Sequence, residues 1–331
     1  MTSVLITPES MLDGIGPYVA MLKEAGFEVR YPKDPQFARG LLSDEETIEE
    51  LKDVTATLAG GEVYTNRVLE ALPELRVIAR SGVGFDRVDM AAATQRGVVV
   101  TITPTANHEA VAEHALALLF AVTKFIIPHD REVRAGGWAR RSMDPVRGQT
   151  LGIVGLGRIG RSMAVRSAAL GMKVIAAEKF PDQQFIKQHG IELLDLDTLL
   201  GRADFVTIHC PLNDETRGLF DKATFAKMKP DSVLINTARG PIVVEADLLE
   251  TLTSGHLRAA ALDVFKQEPT SADNPLFKLD NIVVSPHLAG NDTRSLEDMG
   301  IEAADCIIKL SQGQWPDAAV VNGELKGRWK W

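Results

Sequence analysis

Three residues in the last third of the chain carry side chains whose types together suit one reaction: Arg239, Glu268 and His287. Each follows a short apolar run that predicts a strand, at 232–236, 259–264 and 282–285. Histidine titrates near neutrality and serves as acid in one direction and base in the other. A carboxylate beside it favours the imidazolium and fixes the orientation of the ring. A guanidinium offers a planar fork that matches a carboxylate, and it polarises a carbonyl oxygen where negative charge develops. In an open parallel sheet the carboxyl ends of the strands face the ligand crevice, so all three residues are expected on one edge. The chemistry they predict is proton exchange on an alcohol or ketone that carries a neighbouring carboxylate.

Such a reaction also needs a redox partner, and the sequence supplies a place for one. Gly155-Leu156-Gly157-Arg158-Ile159-Gly160 stands between the apolar run 151–154 and a predicted helix over 161–170. Gly155 allows a tight turn off the strand, Gly157 lets main chain approach a pyrophosphate, and Gly160 lets helix and strand pack closely. The helix start offers N–H groups to the phosphates. A second strand, 174–177, ends at Glu178, whose carboxylate can accept from ribose hydroxyls and would repel a 2′-phosphate. NAD, rather than its phosphorylated relative, is the expected cofactor, and no metal is expected.

The elements that must position these residues alternate along the chain. Strands are predicted at 4–6, 27–31, 55–59, 76–79 and 98–102, with helices at 18–25, 44–52 and 66–72 between them. Ser43 and Glu46 form a capping box for the second helix, and Gly26 closes the first. A long apolar helix over 108–124 is too crowded with Ala and Leu for a surface helix, and is expected to pack between lobes or subunits. Residues 128–149, rich in Arg and Gly, read as an irregular arm. After the glycine turn come a strand at 205–209, a helix at 221–228, the strands that carry Arg239, Glu268 and His287, and a helix at 245–254. A final helix over 293–312 has no new strand to serve and should return to cap the first domain. The expected fold class is α/β, with two Rossmann-like or flavodoxin-like parallel sheets. The dinucleotide domain (104–290) is expected to be inserted into a substrate domain (1–103 and 291–331), with linkers near 103–107 and 288–292.

Composition excludes other classes. The 331 residues suffice for two cores, and a net charge of −9 without a basic block argues against a nucleic-acid partner. Two cysteines, Cys210 and Cys306, are too few for a disulfide framework, which points to a reducing, cytoplasmic setting. The start of the chain has no basic segment of a signal peptide, and no apolar run reaches the length of a membrane span. The mixed basic and aromatic tail, 326–331, is expected to be solvated or packed rather than to stack on nucleic acid.

The chain resembles the D-isomer-specific 2-hydroxyacid dehydrogenase family. The resemblance rests on the glycine turn, on Asn236-Thr237-Ala238-Arg239-Gly240, on Leu262-Asp263-Val264-Phe265 leading to Glu268-Pro269, and on Ser285-Pro286-His287-Leu288-Ala289-Gly290, in that order. It implies that Arg239 binds the substrate carboxyl and carbonyl, that Glu268 pairs with His287, and that His287 is the proton donor. It further implies NAD contacts at Gly155, Gly157, Arg158, Ile159, Gly160, Glu178, Cys210, Thr237, Ala238, Asp263, Ala289 and Gly290. Asp263 would hold the carboxamide side of the nicotinamide. The loop Ser81-Gly82-Val83-Gly84 would give backbone N–H groups to the substrate carboxylate, and a homodimer would form through the 107–124 helix and the arm. The branches that this sequence resembles are the phosphoglycerate dehydrogenases and the glyoxylate or hydroxypyruvate reductases. Arg80 matches a basic residue of the former, whereas Leu58-Ala59-Gly60-Gly61 stands where they carry a second arginine. An NAD-sensing corepressor of the same fold is the alternative from another class.

Overall fold

The computed structural model describes residues 2–331. The chain divides into two compact units, Met1–Asn107 with Gly290–Trp331, and His108–Ala289, so the second is inserted into the first. Residues 104–107 and Gly290 belong with the first unit, where the sequence had placed them in the second. The reason lies in their hydrogen bonds. Gly82 N donates to Thr103 Oγ1 at 2.7 Å, and Thr105 Oγ1 pairs with Glu302, which ties this stretch to the first unit.

The first unit contains β1 (Ser3–Ile6), α1 (Pro17–Glu24), β2 (Glu28–Arg30), α2 (Asp44–Leu51), β3 (Ala56–Ala59), α3 (Asn66–Glu70), β4 (Val77–Arg80), α4 (Met90–Gln95) and β5 (Val99–Thr101). Its five strands pair in parallel in the order β2-β1-β3-β4-β5, a doubly wound, flavodoxin-like arrangement. Side chains of a strand alternate between faces, and each face has its own core. Val4, Ile6, Leu58, Val77 and Val99 point to one, while Leu5, Ala59, Ile78 and Val100 point to the other. Because helices cover both faces, the strands read as continuous apolar runs instead of alternating ones. The expected capping box at Ser43 and Glu46 is present. Helix α4 was not expected; it is one and a half turns long and its apolar content is mostly alanine, so it leaves little periodic signal. The last helix of the chain, described below as α12, returns to this unit.

In the second unit follow α5 (His108–Thr123), α6 (Ile126–Arg134), β6 (Thr150–Val154), α7 (Arg158–Ala169), β7 (Lys173–Ala177), α8 (Gln183–His189), β8 (Glu192–Leu193), α9 (Leu196–Arg202), β9 (Phe205–Ile208), α10 (Lys222–Lys227), β10 (Val233–Asn236), α11 (Glu245–Thr253), β11 (Ala259–Leu262) and β12 (Ile282–Val284). The seven strands run parallel in the order β12-β11-β10-β9-β6-β7-β8. Strand order reverses between β6 and β9, which makes that boundary the topological switch point of a Rossmann sheet.

Several expectations are corrected here. The apolar positions of α5, among them Ala112, Ala115, Leu118, Leu119 and Val122, join the core of this unit's own sheet with Ile153 and Ile235, so sheet coverage accounts for its composition. The arm is not wholly irregular: α6 occupies 126–134, after Phe125 breaks the preceding helix with a φ of 49°. The two helices meet at a 57° bend, and among the described residues no single helix is long and apolar enough to cross a membrane. Helix α7 starts at Arg158, ahead of the expected 161. Elements α8, β8 and α9 were missed; α8 buries no residue and β8 spans two, so neither leaves a hydrophobic pattern to read.

Back in the first unit, α12 (Thr293–Ser311) lays Met299, Ala303, Ala304, Ile307 and Leu310 on the core beside α1, as its amphipathic spacing predicts. The tail is packed: Trp329 Nε1 donates to Gly97 O at 2.7 Å, and Trp315, Trp329, Trp331 and Phe27 meet edge to face.

Candidate functional site

The glycine turn leaves β6 at the switch point. Gly155 has a φ of +96°, and a β-carbon there would lie 2.5 Å from Cys210 N, so no other residue fits. A β-carbon on Gly160 would lie 2.1 Å from Gly155 O, which is the close helix-to-strand packing that the motif demands. Gly157 is different, since a β-carbon on it would meet nothing within 4 Å. It is the N-cap of α7 and contributes no side-chain acceptor, whereas Asp182, Asp195 and Asp221 cap α8, α9 and α10. The first N–H groups of α7 therefore have no side-chain cap at the positive end of the helix, next to exposed Arg158.

Glu178, at the end of β7, accepts from Leu156 N at 2.6 Å and from Phe180 N at 2.8 Å. Its carboxylate is thus held over the turn. Across the switch point, at the end of β9, stand His209 and Cys210. Burial, with the charge of Glu178 adding to it, pushes the Cys210 thiol up to about 11, so it is a protonated, unreactive wall of the site. Burial also drives the His209 imidazole down to about 3, which keeps it neutral. His209 Nε2 lies 2.9 Å from Thr207 Oγ1, and its enclosed Nδ1 finds no partner. Thr237 Oγ1 is likewise buried and unpartnered. An open cradle at Gly157, an uncapped helix start and two orphaned polar atoms at the ends of adjacent strands fit a dinucleotide.

The three candidate chemical residues follow three neighbouring strands, β10, β11 and β12, at the same sheet edge. After β10, fully buried Asn236 shapes the turn: its Oδ1 accepts from Ala238 N at 3.0 Å and its Nδ2 donates to Arg239 O at 3.0 Å. Arg239 Nη1 donates to Ala238 O at 2.7 Å. Glu268 Oε1 accepts from Phe265 N at 2.9 Å, which leaves Oε2 to face His287 Nδ1 at 2.6 Å. The side chain of Glu268 is 20% exposed and that of His287 45%, so the carboxylate sits behind the ring and the ring reaches solvent. With Nδ1–H donated to Glu268, Nε2 is the nitrogen left for proton exchange. His287 is held with a φ of +53°, a left-handed conformation uncommon outside glycine, and its N–H donates to Asp263 O at 2.7 Å.

Asp263 does more than the sequence suggested. Its side chain is 0% exposed, and it accepts from Ser285 Oγ (2.6 Å), Leu288 N (3.1 Å) and Ala289 N (2.9 Å). These donors occupy both oxygens, so the visible task of Asp263 is to hold the loop that bears His287, rather than to present itself to a ligand. His114 on α5 joins the same network, with Nε2 2.9 Å from Ser285 Oγ. Asn236, His114 and Ser285 were not picked out as site residues. The available signal was a lone histidine on the apolar face of α5, which sequence alone cannot separate from a satisfied core histidine.

In the first unit, Gly82 has a φ of +124° in the loop after β4. Ser81 N donates to Ala59 O at 2.9 Å and Gly82 N to Thr103 Oγ1 at 2.7 Å. Two of the N–H groups expected to meet a substrate carboxylate are therefore spent inside the fold, and Val83 and Gly84 remain as the loop's candidate donors. Gly290 packs against Asn107 in this unit, while Ala289 is buried at the end of the other.

Comparison with known proteins identifies the family. The sequence model described as the NAD-binding domain of D-isomer-specific 2-hydroxyacid dehydrogenases matches residues 116–289. The chain is 42% identical over 275 residues to a D-3-phosphoglycerate dehydrogenase of Archaeoglobus fulgidus, covering 82% of this chain and 52% of the relative. It is 37% identical over 289 residues to a glyoxylate reductase of Korarchaeum cryptofilum, covering 85% of this chain and 87% of that one. The TT0316 protein of Thermus thermophilus superposes with a TM-score of 0.84 at 32% identity, covering 97% of this chain and all of the other. The chain spans about half the length of the phosphoglycerate dehydrogenases that it matches. With a Rossmann sheet that carries the dinucleotide turn and a family match across more than half its length, the chain belongs to the D-isomer-specific 2-hydroxyacid dehydrogenase family and contains its NAD-binding domain.

Proposed function

We propose that the protein interconverts a small D-2-hydroxy acid and its 2-oxo acid with NAD as cofactor. The observation that carries this reading is the 2.6 Å pairing of His287 Nδ1 with Glu268, which leaves Nε2 of a half-exposed ring for proton exchange, on the sheet edge that also bears Arg239. In the reducing direction Nε2–H gives its proton to the carbonyl oxygen of the substrate, and in the oxidising direction Nε2 takes it back. Glu268 stabilises the imidazolium and holds the ring. Arg239 pairs with the substrate carboxylate and draws charge toward the carbonyl oxygen. Bound NAD supplies the hydride acceptor or donor. The uncapped start of α7 receives the pyrophosphate, and Glu178 selects against a 2′-phosphate.

An unphosphorylated acid, of the glyoxylate or hydroxypyruvate kind, is the favoured substrate. Arg80, the basic residue that a phosphate would need, is 9% exposed; its Nε donates to Gly84 O at 3.0 Å and its Nη1 to Gly60 O. That guanidinium clamps two loops of main chain. We further propose a cytoplasmic homodimer, supported by Ile126, Val133 and Trp138 on the arm, which are 55%, 53% and 80% exposed. Sedimentation at several concentrations tests the dimer. The function is tested by following NADH and NADPH oxidation with glyoxylate, hydroxypyruvate, pyruvate, 2-oxoglutarate, phenylpyruvate and 3-phosphohydroxypyruvate. Turnover of a small 2-oxo acid with NADH supports the proposal, and absence of turnover with every acid overturns it.

A further inference from the structure

The loop that carries His287 is held by a relay that begins on a helix. Ser285 has one hydroxyl hydrogen, and it goes to Asp263 Oδ1 at 2.6 Å. The 2.9 Å contact between Ser285 Oγ and His114 Nε2 must then be donated by the histidine, because the serine has no second hydrogen to give. His114 Nε2 also stands 3.7 Å from Asp263 Oδ1. The buried carboxylate is thus flanked by donors on every side: Ser285 Oγ, Leu288 N, Ala289 N and, one contact away, His114. A buried carboxylate is costly unless it is fully hydrogen-bonded, and the orientation of its two oxygens is set by where those donors stand. Two of them, the N–H groups of Leu288 and Ala289, belong to the segment just beyond His287. A third main-chain link, His287 N to Asp263 O at 2.7 Å, fixes the left-handed turn at His287 itself.

We propose that His114 is a positioning residue for the reacting imidazole, acting through Ser285 and Asp263. Helix α5 is well placed for this, because it packs on β11 and β12, the strands from which Asp263 and Ser285 emerge. The side chain of His114 is 22% exposed and its ring is anchored among rigid elements, whereas His287 lies on an exposed loop in a strained conformation. Rigidity is passed from helix to loop by the serine and the aspartate. Without His114 the Ser285 hydroxyl loses the donor that orients it, Asp263 is less firmly held, and His287 Nε2 wanders from the geometry that proton transfer needs. This inference rests on the proposed role of His287.

The test is a double-mutant cycle on the full chain with His114→Leu and Ser285→Ala, with His114→Gln and Ser285→Thr as conservative variants that keep a donor and a hydroxyl. Each disruptive variant is expected to lower kcat between about ten- and a hundred-fold with less than about a two-fold change in KM for NADH. The double variant should be no worse than the poorer single one, because both break one relay. Gln and Thr should restore most of the rate. Independently of turnover, the downfield proton signal of the His287 Nδ1–H bonded to Glu268 should broaden in the Leu and Ala variants and stay sharp in the conservative ones. Folded His114→Leu with unchanged kcat, or losses that multiply in the double variant, would overturn the relay. If the wild-type protein turns over no 2-oxo acid, the functional proposal fails separately, and an unaltered His287 signal in His114→Leu then overturns the relay on its own.

Discussion

Glu268 Oε2 lies 2.6 Å from His287 Nδ1, while Glu268 Oε1 is occupied by the Phe265 N–H. The carboxylate is therefore fixed before it meets the ring, and the ring has one tautomer to adopt. His287→Gln should lower kcat by about 10²- to 10⁴-fold, the usual value of a positioned acid or base, and leave NADH affinity within a few-fold. Glu268→Gln should lower kcat as well, because both carboxylate oxygens accept, one from Phe265 N and one from His287 Nδ1, and an amide accepts at only one of the two places. Steady-state rates beside fluorescence titration with NADH separate these effects.

The glycine turn makes opposite predictions at two positions. Gly160→Ala drives a methyl group into Gly155 O and should destabilise the unit by about 1–3 kcal/mol or more, seen as a lower Tm without ligand. Gly157→Ala meets no protein atom, so the Tm should barely move while NADH binding weakens at least about ten-fold, because the space that the methyl group fills is the approach to the pyrophosphate. Calorimetry and NADH titration of both variants check this. Equal NADH affinity in Gly157→Ala and wild type would remove the turn from the cofactor site.

Glu178 is pinned by two main-chain N–H groups, which keeps its charge where a 2′-phosphate would stand. Glu178→Ser should reduce the preference for NADH over NADPH, measured as the ratio of kcat/KM values, by about ten-fold or more. An unchanged ratio would mean that the selectivity resides elsewhere.

Arg80 separates two substrate classes. If its guanidinium holds main chain together, Arg80→Gln should lower kcat/KM equally for hydroxypyruvate and 3-phosphohydroxypyruvate. A selective loss on the phosphorylated acid, by about ten-fold, would identify a phosphate contact and favour the phosphoglycerate reading.

His209 sets an acid limit on stability. Burial holds it near 3 in the folded chain, against 6.5 when solvated. Above 6.5 both states are neutral and the residue adds no pH dependence. Between 6.5 and 3 the unfolded chain binds a proton that the folded chain refuses, so stability falls as pH falls through that window. By about pH 4 the loss should be on the order of 2–4 kcal/mol, less than the full shift because pH 4 still lies above the folded value of about 3. His209→Asn should flatten the dependence of Tm on pH in this range.

The alternation of strands and helices, the glycine turn at 155–160, and the identity of Arg239, Glu268 and His287 were all legible in the residues alone, because each depends on local chemistry: a period, a cap, or a residue type at the end of an apolar run. Elements α8 and β8 were not, since they bury too little to leave a pattern. That the loops after β10, β11, β12 and β6 share one edge was expected from the parallel alternation, but residue order could not show the strand order β12-β11-β10-β9-β6-β7-β8 that sets their neighbours. The work of Asp263 emerges only on folding. Along the chain it is one acidic residue after an apolar strand; in the structure it is a buried carboxylate that must satisfy its oxygens, and the donors that do so come from Ser285, Leu288 and Ala289, far along the chain. Hydrogen-bond satisfaction in a buried place depends on tertiary neighbours, and that is why the partners of the site residues had to be read from the structure.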